Sequence, residues 1–205
     1  MLEKANIIYN ALRAEYPHAK CELNYTSTFE LLVAVILSAQ CTDKRVNLVT
    51  KQLFLLANTP TDMLQLGSES LQKLIHSCGF YRQKAKSIIN ASRDIILKHG
   101  GQVPNSRAEL EALSGVGRKT ASVMLSEAFN QNAIAVDTHV FRVSKRLGLS
   151  SGKTPLAVEK DLNGLYPTNG SQIHQLLIFH GRYCCRAIKP ECSACVVSAL
   201  CECNK

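Results

Sequence analysis

The sequence predicts an all-helical protein of two helical domains, and three observations carry that reading. Helix start and stop residues recur along all 205 residues. No run shows the period-2 alternation rich in Val, Ile and Thr that a sheet requires. The longest apolar stretch, Leu31–Leu37, covers only about 10 Å as a helix, far short of the ~30 Å hydrocarbon layer, so it reads as a core helix and not a membrane span.

The elements follow in order. Leu2, Ala5, Ile8 and Leu12 share one stripe of a helix over 1–16. Ser27-Thr28-Phe29-Glu30 is a capping box ahead of Leu31–Ala39, and Ser106-Arg107-Ala108-Glu109 is a second one ahead of Leu110–Leu113. Further helices are expected to start near Thr42 and Ser70. Residues 81–99 form a long helix with Ala85, Ile88, Ile89, Ile95 and Ile96 on its apolar face, stopped by Gly100-Gly101. Thr154-Pro155 sets another start, with proline at the first helical position. Residues 171–182 carry Ile173, Leu176, Leu177 and Phe179 in one stripe. The least periodic stretch near the middle, Asn130-Gln131-Asn132, is where a domain boundary is expected.

A formal charge of +8 favours a polyanionic partner through counterion release, although solubility alone could account for it. No cationic and apolar leader opens the chain, which points to the cytosol. Six of the nine cysteines lie within the last twenty-two residues. In a reducing compartment such a cluster argues for metal before disulfides.

Residues 113–121 read Leu-Ser-Gly-Val-Gly-Arg-Lys-Thr-Ala, a glycine turn opening into a helix with Lys119 in its first turn. Helix starts leave backbone N–H groups without partners, and glycines let a phosphate approach them, so Gly115, Val116 and Gly117 are the expected donors. The positive helix end also favours the neutral, nucleophilic form of a nearby amine. For a bare Gly-x-Gly, a plain turn between packed helices is the commoner meaning. Asp137 follows in Ile134-Ala135-Val136-Asp137-Thr138-His139. It can simply cap the next helix, or it can be partly buried by its apolar approach segment and serve as a carboxylate near Lys119.

Cys185, Cys192, Cys195 and Cys201 are separated by six, two and five residues. Thiolates so spaced can converge on an iron–sulfur cube or on zinc; zinc sites more often use two tight pairs, so the spacing leans weakly to iron–sulfur. Few large apolar residues lie between Arg186 and Lys205, so a metal would substitute for a core there. Lys189, beside Arg186, can reach phosphates. Cys184 and Cys203 fall outside the spacing, and Cys21, Cys41 and Cys78 read as buried or free thiols.

Taken together, the hairpin motif, Val136-Asp137-Thr138-His139, Leu37-Ser38-Ala39-Gln40 and the terminal cysteines resemble the endonuclease III family of the helix-hairpin-helix DNA glycosylase superfamily, in the same order and over nearly the whole length. The resemblance implies a six-helix barrel domain over 21–131, with the helix-hairpin-helix at 106–130. It implies a discontinuous iron–sulfur domain, 1–20 plus 132–205, with DNA bound between the two. A monomer acting on double-stranded DNA that holds a damaged base or an abasic site is implied, with no membrane role. The four spaced cysteines would hold a [4Fe–4S] cluster.

The resemblance also implies a bifunctional glycosylase and abasic-site lyase for oxidised or ring-saturated pyrimidines. Lys119 would be the nucleophile that forms a Schiff base at C1′, and Asp137 its catalytic partner. The target base must leave the stack, and the gap is assigned to Gln40 and Phe80, where leucine is common in the family. Arg118 and His139 match positions at the DNA edge, and Ser38 and Glu111 match positions lining the pocket. Asn130 and Asn132 replace the family's glycine and proline, which predicts an altered loop and not a lost site. Three rivals follow from the same residues: another glycosylase of this fold such as an adenine-mismatch enzyme, a non-catalytic iron–sulfur DNA-binding protein, and a zinc-stabilised DNA-binding module. The first as a rule lacks the lysine, and the second would have no use for Lys119 with Asp137.

Overall fold

In the computed structural model, which describes residues 1–204, every element is helical and no strand occurs among the described residues. Ten α-helices run α1 Leu2–Glu15, α2 Thr28–Ser38, α3 Asp43–Leu56, α4 Pro60–Ile75, α5 Tyr81–His99, α6 Arg107–Ala112, α7 Arg118–Glu127, α8 Thr138–Arg146, α9 Pro155–Leu165 and α10 Gly170–Tyr183. Three short 3₁₀ turns follow, at Cys192–Ala194, Ser198–Leu200 and Glu202–Asn204. Lys205, the last residue of the predicted second domain, lies outside the described residues.

The helices sort into two compact units, one of Glu22–Phe129 and one of Met1–Cys21 with the chain from Asn130 onward. The first unit holds α2 to α7. Its centre is α2, buried continuously from Phe29 to Leu37 and packed on α3, α5 and α7. A helix apolar on all sides can only be a core helix, which is why this stretch reads as a run and not as a stripe. Its start is fixed by side chains. Ser27 Oγ accepts from Glu30 N–H at 3.1 Å, and the buried Glu30 carboxylate accepts from both the N–H and the hydroxyl of Thr26, at 2.6 and 2.9 Å. The reciprocal bond of the capping box therefore goes to the residue before the cap. α5 stops as the glycines require: Gly100 and Gly101 take φ of 59° and 84°, and Gly101 N–H reaches back to Ile95 O at 3.0 Å.

The start expected near Ser70 is not where the helix begins. Thr59 caps α4 through Asp62 N–H, Pro60 takes the first helical position, and Gly67 (φ 76°, ψ 164°) interrupts the helix midway. Thr59-Pro60 is the same signature as Thr154-Pro155, which does start α9.

The second unit packs α1, α8, α9 and α10 around Ile8, Leu12, Val140, Val143, Leu162, Ile173 and Leu177. Tyr166, at the end of α9, donates its hydroxyl to Ala5 O of α1 at 3.0 Å and so ties the N-terminal helix to the late part of the chain. Ala5, Ile8 and Leu12 of the predicted stripe are buried, whereas Leu2 is exposed. Val197, in the cysteine-rich segment, is also buried, so that segment brings one apolar anchor of its own.

Replacing the cap residue at the start of the central helix, Ser27→Ala, is expected to lower stability by about 1 kcal/mol. Thermal and denaturant melts of the purified protein measure it.

Candidate active site and metal centre

The hairpin joins α6 to α7 in the first unit. Leu113 ends α6, and Val116 N–H donates back to Leu113 O at 3.1 Å while the Val116 side chain is buried. Of the three predicted phosphate donors, Val116 thus spends its N–H on closing the turn. Gly115 sits at φ 80°, and a Cβ there would stand 2.6 Å from Ser87 Cβ on α5. Only glycine allows both the dihedral and the contact. Gly117 differs: its backbone is extended, a Cβ would meet nothing within 4 Å, and as the N-cap residue it gives α7 no side-chain acceptor. The first turn of α7 therefore keeps the anion-binding character of a helix start that a Ser or Asp cap would have spent.

Arg118 and Lys119 are the first two residues of α7, and both are exposed. Glu111, on α6, pairs with Arg107 at 3.5 Å, and Arg107 also donates to Ser122 Oγ at 3.0 Å, which joins α6 to α7. Ser38, at the end of α2, donates its hydroxyl to Val35 O at 2.8 Å. Gln40 and Phe80 have left-handed backbones, φ 53° and 56°, and Phe80 is 69% exposed. An apolar ring presented to solvent from a strained backbone position is not core packing. The two segments are neighbours: a Cβ on Gly79 would lie 3.6 Å from Gln40 O.

Asp137 belongs to the second unit and caps α8, its Oδ1 accepting from Val140 N–H at 2.8 Å. Ala133, Ile134 and Ala135 leading to it are buried, and Asp137 itself is half-buried. Lys119 and Asp137 therefore stand in different units of the chain. Asn130 takes φ 50°, a conformation asparagine tolerates. Asn132 bridges two distant segments. Its Oδ1 accepts from Gly170 N–H at 2.6 Å and its Nδ2 donates to Tyr166 O at 3.2 Å, so it caps α10 across 38 residues. His139 packs against Gly181 of α10, where a Cβ would come within 2.9 Å of His139 Cβ. Lys189 is exposed at φ 52° in the loop after α10, and its neighbour Arg186 is paired with Glu191.

The four spaced cysteines come together. Cys185, Cys192, Cys195 and Cys201 line one cavity of about 230 Å³, joined there by Cys184, Cys203, His180 and Arg146. Ligand atoms of His180, Cys184 and Cys195 lie within 4.8 Å of one another. Arg146 holds the wall, donating to Arg186 O at 2.8 Å, Ala187 O at 3.2 Å and Cys185 Sγ at 3.5 Å, while Arg142 donates to Cys185 O at 3.1 Å and Gly181 O at 2.9 Å. Burial, reinforced by neighbouring thiols, pushes Cys184 up to about 12, and burial raises Cys195 as well. A soft donor set gathered around one space beside a guanidinium fits a thiolate-bound metal centre, whose positive charge would reverse those shifts.

Comparison with known proteins settles the relationship. Residues 33–168 match the HhH-GPD superfamily of base excision DNA repair proteins. Endonuclease III of Haemophilus influenzae is 50% identical over 196 residues, covering 95% of this chain and 93% of that one. Endonuclease III of Bacillus subtilis is 53% identical over 189 residues, covering 91% and 86%. The chain belongs to the endonuclease III family.

Within that family, the structure of a trapped endonuclease III–DNA covalent intermediate matches this fold with a TM-score of 0.94 at 46% identity, covering 98% of this chain and 96% of that one. A thermostable thymine-DNA glycosylase shares the fold alone, at TM-score 0.88 and 22% identity. Arg142, Arg146 and Asn132 build the site without a signal in the sequence. Each acts on carbonyls or N–H groups 34 to 43 positions away, and spacing along one helix carries no trace of that. Arg142 and Arg146 do sit four apart on α8, one face of a helix, but so do many solvated pairs.

The two glycines of the hairpin are expected to respond differently. Gly115→Ala should destabilise by about 2 kcal/mol or more, from the left-handed backbone and the overlap with Ser87. Gly117→Ala should melt like the parent yet bind duplex DNA more weakly, because the methyl stands where a phosphate would approach. Paired melting curves and DNA titrations at fixed salt check both.

Proposed function

We propose that this endonuclease III family member is a bifunctional DNA glycosylase and abasic-site lyase that removes oxidised or ring-saturated pyrimidines from duplex DNA. The observation that carries the reading is the start of α7, a helix without a side-chain cap behind a glycine turn, with Lys119 exposed in its first turn. A phosphate held at that helix start would bring the adjoining deoxyribose within reach of the amine.

The residues then divide the work. Gly115, Gly117 and Arg118 hold the DNA backbone, with His139 and Lys189 at its edge and Val116 fixing the turn. Gln40 and Phe80 fill the gap left by the displaced nucleotide, while Ser38 and Glu111 line the pocket that receives the base. Lys119 Nζ attacks C1′, the glycosidic bond breaks, and the departing base takes up a proton. Asp137 stabilises the cationic sugar and accepts the proton lost by the attacking amine. The C1′–O4′ bond then breaks, with the proton held by Asp137 passing to O4′, and the opened sugar becomes a Schiff base; this acidifies the C2′ proton, whose loss to water expels the 3′ phosphate, and hydrolysis of the imine frees Lys119. The matching endonuclease III structure is itself a trapped covalent intermediate with DNA, which supports an enzyme-linked route for that relative.

Cys185, Cys192, Cys195 and Cys201 would hold a [4Fe–4S] cluster, with Cys184 and Cys203 as bystanders. Bound there, it would supply cross-links that fix the loop bearing Lys189, while the bond-making steps belong to Lys119 and Asp137. The proposed barrel domain is 21–131 and the proposed cluster domain 1–20 with 132–205, bounds that differ from those of the two compact units at Cys21, Asn130 and Gln131. No helix among the described residues is long and apolar enough to cross a membrane. The proposed working form is a monomer on cytoplasmic, nucleoid DNA.

Asp137→Asn separates chemistry from folding, because asparagine caps a helix as well as aspartate does. Its melting temperature should match the parent, while base release from duplex DNA with one oxidised pyrimidine falls by about 10² or more. Lys119→Gln should lose base release and strand cleavage together. Strand cleavage by Lys119→Gln at the parental rate would reject the proposal. For the metal, alanine at Cys185, Cys192, Cys195 or Cys201 should abolish bound iron and its visible absorbance, whereas Cys184→Ala and Cys203→Ala should retain both; iron analysis decides the set.

A further inference from the structure

A lysine outside the catalytic set connects the two residues that would fill the emptied DNA stack. Lys84, on the first turns of α5, is only 6% exposed. Its ammonium donates to Leu37 O at 2.9 Å and to Ala39 O at 2.7 Å, the terminal carbonyls of α2 immediately before Gln40. Its backbone N–H makes the first main-chain bond of α5, to Phe80 O at 3.0 Å, a bond independent of the side chain, so the part specific to lysine is the ammonium's hold on α2 from the helix that Phe80 caps. One residue thus bonds both segments that carry the exposed, left-handed Gln40 and Phe80. Left-handed backbones at non-glycine residues cost about 1–2 kcal/mol each and persist only where the surroundings over-determine them.

Burying a lysine is itself unfavourable, and Lys84 is held below the usual lysine range by loss of solvent, partly opposed by the nearby Cys78 and Cys41 thiols. A leucine or methionine would fill the same space without that cost but would leave two helix-end carbonyls without a donor. The charge also complements the negative end of α2. Among the described residues no ion pair engages Lys84, and its bonds to α2 go to backbone alone.

We propose that Lys84 is a positioning residue for base extrusion: it clamps the end of α2 to the start of α5 so that Gln40 and Phe80 enter the DNA as one preformed wedge. The inference rests on the reading of Gln40 and Phe80 as gap-filling residues. Lys84 does not touch substrate; it acts through the two backbones. Its loss should slow steps that need the wedge, namely base release from a paired duplex, and spare cleavage at an abasic site in single-stranded DNA, where no stack has to be filled.

The test compares those two rates for the full-length protein and four variants, at a temperature where each is folded by circular dichroism. Lys84→Met should lower the duplex rate by about tenfold or more, since misplacement by about 1 Å can cost 10²-fold, with the single-strand rate within about twofold. Lys84→Arg, which retains a cationic donor, should recover most of the duplex rate. In Phe80→Ala/Lys84→Met the two effects should be non-additive, because both remove the same wedge. Equal losses on both substrates, or full additivity, would overturn the positioning role. If Phe80→Ala alone leaves the duplex rate unchanged, the gap-filling reading fails instead, whatever Lys84→Met does. Should Lys84→Met not melt cooperatively, Lys84→Gln is read by the same ratio.

Discussion

The candidate active site depends on a steric constraint at one backbone position. Gly115 must carry no side chain, because its φ of 80° and its contact with Ser87 leave no room for one. That contact seats the hairpin on α5, and the hairpin in turn decides where α7 begins. Since Gly117 occupies the N-cap, α7 begins without an N-cap side-chain acceptor, and a helix start of that kind suits an anion. Lys119 stands exposed in the first turn of that helix. The proposed nucleophile is therefore placed by packing between helices of one unit before any ligand arrives.

The second unit solves a different problem, that of fixing a loop poor in apolar residues. Val197 gives it one buried anchor, and Arg142 and Arg146 reach out of α8 to hold the carbonyls of Gly181, Cys185, Arg186 and Ala187. Guanidinium suits this role because its planar fork satisfies several acceptors at once. With the loop so held, the cysteines surround a single cavity, and a metal would complete the cross-linking that the sparse core leaves undone.

Much of this is legible in the sequence, for reasons that differ by residue. The capping boxes at Ser27 and Ser106, the glycine stop of α5 and the Asp137 cap act over three to six positions, so local spacing reveals them. The cysteine spacing is visible for the same reason, although membership of Cys184 and Cys203 in the cavity wall is not. The true start of α4 is masked because Gly67 breaks the helix and makes its second half look like a separate element. Lys84, Asn132 and the two arginines are illegible, because their partners are carbonyls and N–H groups far along the chain, and main-chain acceptors have no residue type. The roles of Gln40 and Phe80 come from family resemblance; the structure adds that both are exposed at left-handed backbones.

The central claim is that Lys119, presented by an uncapped helix start, bonds covalently to the DNA sugar. Borohydride reduction of the protein on duplex DNA with an oxidised pyrimidine, followed by proteolysis and peptide mass spectrometry, locates the attachment directly. A sugar remnant on Lys119 Nζ is the predicted result. An adduct on any other residue, or none under conditions where the strand is cut, would contradict it.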